Sequence, residues 1–90
     1  MLEELEGVIR DRWVNAPAGS YTASLFAAGP DRIAQKFGEE AIELLIAAQS
    51  QTRERLIEES ADLLYHLTVL LVSKEVSWSD ISAELAKRQK

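Results

Sequence analysis

The sequence contains no cysteine. Disulfide bonds, thiolate catalysis and zinc–thiolate sites are therefore excluded. No segment approaches the roughly 20 consecutive apolar residues that a membrane span needs. The first residues carry Glu3, Glu4 and Glu6, where a secretory signal would carry basic side chains. We therefore expect a cytoplasmic location and no membrane partner.

Basic residues are also in the minority, with 10 Lys and Arg against 15 Asp and Glu and a net charge of −5. This balance argues against nucleic acid as a partner, because nonspecific binding needs clustered Lys and Arg. A phosphate substrate is not excluded, since divalent cations can stand between an acidic protein and a polyphosphate. The four glycines form no phosphate-binding loop pattern.

Apolar residues, by contrast, are abundant, at 47% of a 90-residue chain. A chain of this length forms one domain, which we take as residues 1–90, and it buries only about two-thirds of its unfolded surface. A monomer would leave much of this apolar surface exposed. We therefore predict a homodimer or a higher oligomer.

Apolar residues recur at helical spacing along most of the chain. The spacing predicts helices over residues 2–14, 30–49 and 52–73, and one or two helical turns at 25–28. A capping box at Ser77 predicts a last helix ending near residue 88. Because no segment has the pattern of a strand, the predicted fold class is all-α, a helical bundle.

Acidic residues on the second and third long segments form the main candidate site. A sector of about 100° on one helix holds four side chains, Lys36, Glu39, Glu40 and Glu43. A sector of about 60° on the next holds Glu59, Asp62 and His66. Acids on a helix usually form a solvated face, but Leu63 and Leu70 lie close to Glu59 on the helical wheel. The acids therefore fall within the apolar stripe.

If the two helices pack side by side, four or five carboxylates converge. Two unit charges about 4 Å apart repel by about 4 kcal/mol at an effective dielectric of 20. Either the carboxylates share protons or a cation binds among them. Oxygen ligands without cysteine favour Mg²⁺ or Mn²⁺.

Other candidate residues each allow two interpretations. Lys36 either neutralises the acids or contacts a substrate phosphate, and Arg32 and Arg12 are either anion contacts or surface charges. Tyr21 either stacks on a base or packs in the core. A single histidine such as His66 is more often a core residue with satisfied hydrogen bonds than a ligand.

Several motifs resemble the phosphoribosyl-ATP pyrophosphohydrolase family. They are Ser20-Tyr21-Thr22, Gly29-Pro30-Asp31-Arg32-Ile33, Lys36-Phe37-Gly38-Glu39-Glu40-Ala41-x-Glu43, Glu59-x-Ala61-Asp62-Leu63-Leu64-Tyr65-His66-Leu67 and Glu84-Leu85-x-x-Arg88. The paired acidic motifs alone are shared by all MazG-like pyrophosphohydrolases. The other segments narrow the resemblance to the phosphoribosyl-ATP pyrophosphohydrolase family. Pro30 departs from the leucine frequent in the family, a change easily accepted at a helix start.

The resemblance implies a MazG-like all-α fold completed by dimerisation, with Mg²⁺ as cofactor. It implies hydrolysis of 1-(5-phosphoribosyl)-ATP between the α and β phosphates to phosphoribosyl-AMP and pyrophosphate, the second step of histidine biosynthesis. The metal ligands it implies are Glu40, Glu43, Glu59 and Asp62. Glu39 would act beside Glu40 in catalysis, either binding a second metal or orienting the water.

Two rival hypotheses remain open at this point. A MazG-like house-cleaning enzyme would hydrolyse (d)NTPs with the same acids. A helical dimerisation module without catalysis would need no converging acids. A ferritin-like di-iron bundle fits less well, because it needs two Glu-x-x-His motifs and the chain has one histidine.

Overall fold

A computed structural model describes residues 1–89, which form five helices and no strand. Their bounds are α1 (Leu2–Asn15), α2 (Tyr21–Ala28), α3 (Pro30–Ser50), α4 (Arg53–Ser73) and α5 (Trp78–Arg88). The all-α prediction is confirmed. Lys90, the last residue of the predicted domain, lies outside the described residues.

Side-chain caps fix the starts of three helices. The hydroxyls of Ser20, Thr52 and Ser77 each accept a hydrogen bond from the backbone N–H three residues later. Such caps satisfy amides that have no partner inside the helix. Because Ser20 is a cap, α2 begins at Tyr21, four residues before the apolar stretch from which it was predicted.

A sharp backbone turn separates α2 from α3. Gly29 has φ 101° and ψ 176°, a conformation that side-chain-bearing residues rarely adopt. Pro30 then occupies the first turn of α3, where its missing N–H costs nothing. This joint sets the direction in which α3 leaves the short helix.

The core lies where the start of α3 meets the end of α4. It is built from one or two residues of each of four helices: Ile9, Leu25, Ile33, Val69 and Val72. Helices α3 and α4 pack against each other most extensively, and their two-residue connection makes them antiparallel. Helix α5 is anchored by Trp78, whose indole N–H donates to Thr68 Oγ1 at 3.0 Å.

The opposite end of the α3–α4 pair carries exposed apolar side chains. We call these residues the apolar face: Ile42, Leu45, Ile46, Leu56, Ile57 and Leu64. Their exposed fractions run from 37% for Leu56 to 62% for Leu45. The core described above ends before this region, so the candidate acids lie on a helical hairpin that is apolar but uncovered.

None of the helices within residues 1–89 is both long and apolar enough to cross a membrane.

Candidate functional site

Three carboxylates from α3 and α4 meet between the two helices. Ligand oxygens of Glu40, Glu43 and Glu59 all lie within 4.8 Å of one another. Glu40 and Glu43 share a face of α3 because residues three apart are neighbours on a helix. The antiparallel packing brings Glu59 of α4 opposite them. We call these three residues the acidic cluster.

Two of the three acids are buried. Glu40 is 6% exposed and Glu59 is 4% exposed, whereas Glu43 is exposed to solvent. The Oε2 atoms of Glu40 and Glu59 have no hydrogen-bond partner. A buried acceptor without a partner is costly, and a charged one more so. The unpartnered oxygens therefore fit a cation held between the helices.

The other oxygen of each buried acid already contacts a basic side chain. Lys36 Nζ lies 3.5 Å from Glu40 Oε1, and the Arg55 guanidinium bonds Glu59 Oε1. In both pairs the basic residue precedes its acid by four positions, the spacing at which helical side chains meet. On each helix a basic side chain therefore partly neutralises the charge of the buried carboxylate.

Arg55 belongs to this site, although the sequence analysis did not select it. Its NH1 donates to Glu58 Oε1 at 2.6 Å, while NH2 donates to Glu59. The hydrogen bond to Glu58, together with the charge of Glu59, raises the pKa of Arg55, so the guanidinium stays charged. The four-residue spacing to Glu59, the same as from Lys36 to Glu40, is the signal that could have identified it.

A pocket of about 260 Å³ opens beside the acidic cluster. It is lined by Glu43, Ile46, Gln51, Arg55 and Glu59. The pocket connects one exposed and one buried acid with solvent, so a ligand has access to both. A second pocket of about 310 Å³ is lined by Trp13, Val14 and Glu75 but by no residue of the acidic cluster, so the smaller pocket is the candidate site.

Not every predicted site residue joins the cluster. Asp62 is exposed one turn after Glu59, and its carboxylate is not part of the group within 4.8 Å. Its assignment as a metal ligand stays a prediction. Glu39 lies beside the cluster, accepting from Gln35 at 3.1 Å, with Lys36 Nζ at 3.8 Å.

Two predicted anion contacts occupy different places. Arg32 NH1 is 3.9 Å from Glu39, which puts it one turn before Lys36 at the edge of the site. Arg12 lies on α1, where its guanidinium pairs with Asp11 at 3.1 Å. Lys36 and Arg32 therefore share a surface of α3, and Arg12 belongs to another helix.

His66 is a buried residue whose two ring nitrogens are both hydrogen bonded. Nδ1 lies 2.8 Å from the backbone carbonyl oxygen of Asp62, which can only accept, so Nδ1 donates. In the neutral ring Nε2 then accepts from the Tyr21 hydroxyl at 3.0 Å. The prediction of a satisfied core histidine is confirmed. Tyr21 is 48% exposed, which contradicts its interpretation as a buried packing residue and leaves its ring accessible.

The Tyr65 side chain supports this network from α4. Its hydroxyl contacts the Thr22 hydroxyl, and its ring lies edge-on to His66 at 5.3 Å. Burial raises the pKa of Tyr65, with a further contribution from Tyr21. The start of α2 is therefore held against α4 by hydrogen bonds between side chains.

The fold and the site define a small all-α protein with an acidic cluster between two antiparallel helices. A family model described as phosphoribosyl-ATP pyrophosphohydrolase matches residues 2–89, and the chain belongs to this family.

Curated relatives match nearly the whole of this chain. A phosphoribosyl-ATP pyrophosphatase of Metallosphaera sedula is 48% identical over 90 residues, covering 100% of this chain and 97% of the relative. One of Pyrobaculum aerophilum is 50% identical, covering 100% and 96%. The histidine biosynthesis bifunctional protein HisIE of Bacteroides thetaiotaomicron is 51% identical over 87 residues, covering 97% of this chain and 43% of that protein.

Proposed function

We infer that this protein hydrolyses phosphoribosyl-ATP in histidine biosynthesis. One water is consumed, and the products are phosphoribosyl-AMP and pyrophosphate. The observation that carries this conclusion is the family match over residues 2–89, together with full-length relatives named phosphoribosyl-ATP pyrophosphatase. The acidic cluster of α3 and α4 supplies a site suited to this chemistry.

Mg²⁺ is the proposed cofactor, with Mn²⁺ as an alternative. Glu40, Glu43 and Glu59 would hold it, because their oxygens converge and two buried oxygens lack partners. Asp62 is proposed as a further ligand that would have to turn toward the cluster. When bound, the metal neutralises polyphosphate charge and lowers the pKa of a coordinated water.

The remaining charged side chains have proposed roles in holding the substrate. Lys36 and Arg32 lie on one surface of α3 beside the cluster, so they are suited to contact phosphate oxygens. Glu39 is 3.8 Å from Lys36 Nζ and is suited to orient that group or the attacking water. The exposed ring of Tyr21 is suited to stack on a base, and Arg12 of α1 is proposed as a further anion contact.

A second copy of the chain is the proposed partner for the apolar face. Isoleucine and leucine side chains exposed by more than a third on neighbouring turns are typical of a surface that is covered on association. The acidic cluster lies on the same hairpin, so dimerisation would also cover part of the site. A substrate derived from ATP favours the cytoplasm as the location.

The proposed reaction is tested by product analysis. Purified protein is incubated with phosphoribosyl-ATP and Mg²⁺, and the products are separated by chromatography. We expect phosphoribosyl-AMP and pyrophosphate in equal amounts, and no orthophosphate. A Glu59→Gln preparation, purified identically, controls for contaminating phosphatases.

The substrate class is tested against the house-cleaning alternative. At equal enzyme concentration, kcat/KM for phosphoribosyl-ATP is compared with kcat/KM for each dNTP. We expect kcat/KM to be clearly higher for phosphoribosyl-ATP than for any dNTP. Comparable or faster turnover of dNTPs would reject the proposed substrate while leaving the pyrophosphohydrolase chemistry in place.

A further inference from the structure

Glu59 of the acidic cluster is bound by a cation that belongs to the chain, the guanidinium of Arg55. We propose that Arg55 is a built-in competitor of the metal ion: it serves as the counter-cation of Glu59 when no metal is bound and withdraws when the metal binds. This inference rests on the proposed metal site. It assigns Arg55 as a positioning residue that sets the affinity of the site for divalent cations.

The two oxygens of the Glu59 carboxylate have different surroundings. One oxygen of this carboxylate bonds Arg55, and the other is buried without a partner. A metal ion at the cluster and the guanidinium would be two positive groups on one carboxylate. Because the two positive groups repel each other, we expect metal binding to weaken the bond from Arg55.

Arg55 has a second carboxylate to which it can withdraw, that of Glu58. Its guanidinium already bonds Glu58 at 2.6 Å, so it has a second carboxylate partner on the same helix. The Arg55 and Glu58 side chains are 49% and 59% exposed, whereas the Glu59 side chain is buried. Moving from Glu59 to Glu58 alone therefore leaves the guanidinium paired and hydrated.

Lys36, the other basic residue that contacts a buried acid, is less exposed than Arg55. Its ammonium contacts both Glu39 and Glu40, but its side chain is only 25% exposed. Arg55 lines the solvent-connected pocket and Lys36 does not. Of the two counter-cations, Arg55 is therefore the one that can exchange with an incoming ion.

Calorimetric titration with Mn²⁺ and with Mg²⁺ tests the proposal without using activity. Arg55→Gln removes the charge but keeps an amide donor for Glu59. We expect it to bind either ion roughly twofold to fivefold more tightly than the wild type, a change within the range of a partly exposed charge pair. Arg55→Lys keeps the charge and should stay close to the wild type.

Arg53→Gln is the matched control. Arg53 carries the same charge on the same helix and makes no ion pair among residues 1–89. If both Gln variants bind metal equally more tightly, bulk charge is the cause and the proposal is overturned. It is also overturned if Arg55→Gln binds metal as the wild type does, or more weakly.

A second variant keeps the test decisive should Arg55→Gln fail to fold. Glu58→Gln removes the exposed partner, which should leave Arg55 more firmly on Glu59 and weaken metal binding more than Glu54→Gln does. Equal effects of these two variants would contradict the proposal. If the wild type itself binds neither ion, the proposed metal site fails, and with it this inference.

Discussion

Glu40 and Glu59 each bury an oxygen atom that has no hydrogen-bond partner. Buried polar atoms are nearly always paired, so exceptions point to a functional use. The two residues come from different helices and meet at the acidic cluster. At the scale of single residues, this pair is the most informative feature of the molecule.

Isosteric amides at these two positions test their proposed role. We expect Glu40→Gln and Glu59→Gln each to lower kcat by roughly two orders of magnitude or more, because each removes a charged metal ligand. Glu43→Gln should have a similar effect, and Glu39→Gln an intermediate one. Steady-state kinetics with saturating Mg²⁺ provide the measurement.

Glu54→Gln is the control for bulk charge in that series. Glu54 is an exposed acid in the first turn of α4 and lies outside the cluster. Its variant should keep activity near the wild type. Full activity of Glu59→Gln, with an unchanged melting curve, would show that α4 contributes no ligand.

The spacing of the acids was enough to predict that carboxylates of α3 and α4 converge, and three of them, Glu40, Glu43 and Glu59, do so. The exposure of Asp62 was not predictable, because Asp62 and Glu59 fall in the same sector of the helical wheel of α4. Only the position of the neighbouring helix decides which of the two is buried. Arg55 was not predicted from the sequence. Its role depends on a side-chain contact that spacing allows but does not require.

At the scale of helices, α5 depends on the cap at its start. The Ser77 hydroxyl accepts from the Asp80 N–H at 3.1 Å, and Asp80 Oδ2 accepts from the Ser77 N–H at 2.9 Å. Ser77→Ala should lower the free energy of unfolding by about 1 kcal/mol. Denaturant melts of this variant and of Ser82→Ala, an exposed serine of α5 outside the cap, make the comparison. Equal losses in the two variants would contradict the cap.

The same cap predicts a dependence on pH. Hydrogen bonds from Ser77 lower the pKa of Asp80 below its ordinary value of 3.8. The stabilisation by the ionised carboxylate is therefore present above pH 3.8 and disappears as the pH falls through the lowered pKa. The stability difference between wild type and Asp80→Asn should be seen near neutral pH and vanish in acid.

Helix positions were predictable because caps and apolar spacing are local signals. The observed ends of α1 and α3 differ by one residue from the predicted ones. The start of α2 was missed because Ser20 precedes residues with little apolar periodicity. The apolar face was implied only as a total excess of apolar residues, since the core that would cover it depends on how all helices pack.

At the scale of the whole molecule, the proposed dimer is tested by sedimentation. At micromolar concentration the protein should sediment at no less than twice its chain mass of 10.0 kDa. Leu45→Glu, in the apolar face, should shift it toward monomer, because a charge in an apolar interface is costly. Val14→Glu, at an exposed site on α1, is the matched control. A folded wild-type monomer would contradict the proposal.

Mg²⁺ should also stabilise the whole molecule. A ligand that binds only the folded state at 100 times its Kd adds about 2.7 kcal/mol to the free energy of unfolding. We therefore expect Mg²⁺ to raise Tm in the wild type and to have little effect in Glu43→Ala. Thermal melts with Mg²⁺ and with EDTA in its place provide the measurement. An unchanged Tm of the wild type would contradict the site.

The two-residue connection between α3 and α4 has a kinetic consequence. Glu40 and Glu59 are close in sequence, whereas Glu6 reaches the Trp78 N–H across 72 positions. Short loops close at low entropic cost, so the helical hairpin should form early in folding and its acids should meet before α1 and α5 dock. Electrostatic repulsion then opposes the folding nucleus itself. In stopped-flow experiments, Mg²⁺ should therefore accelerate refolding and leave the unfolding rate nearly unchanged.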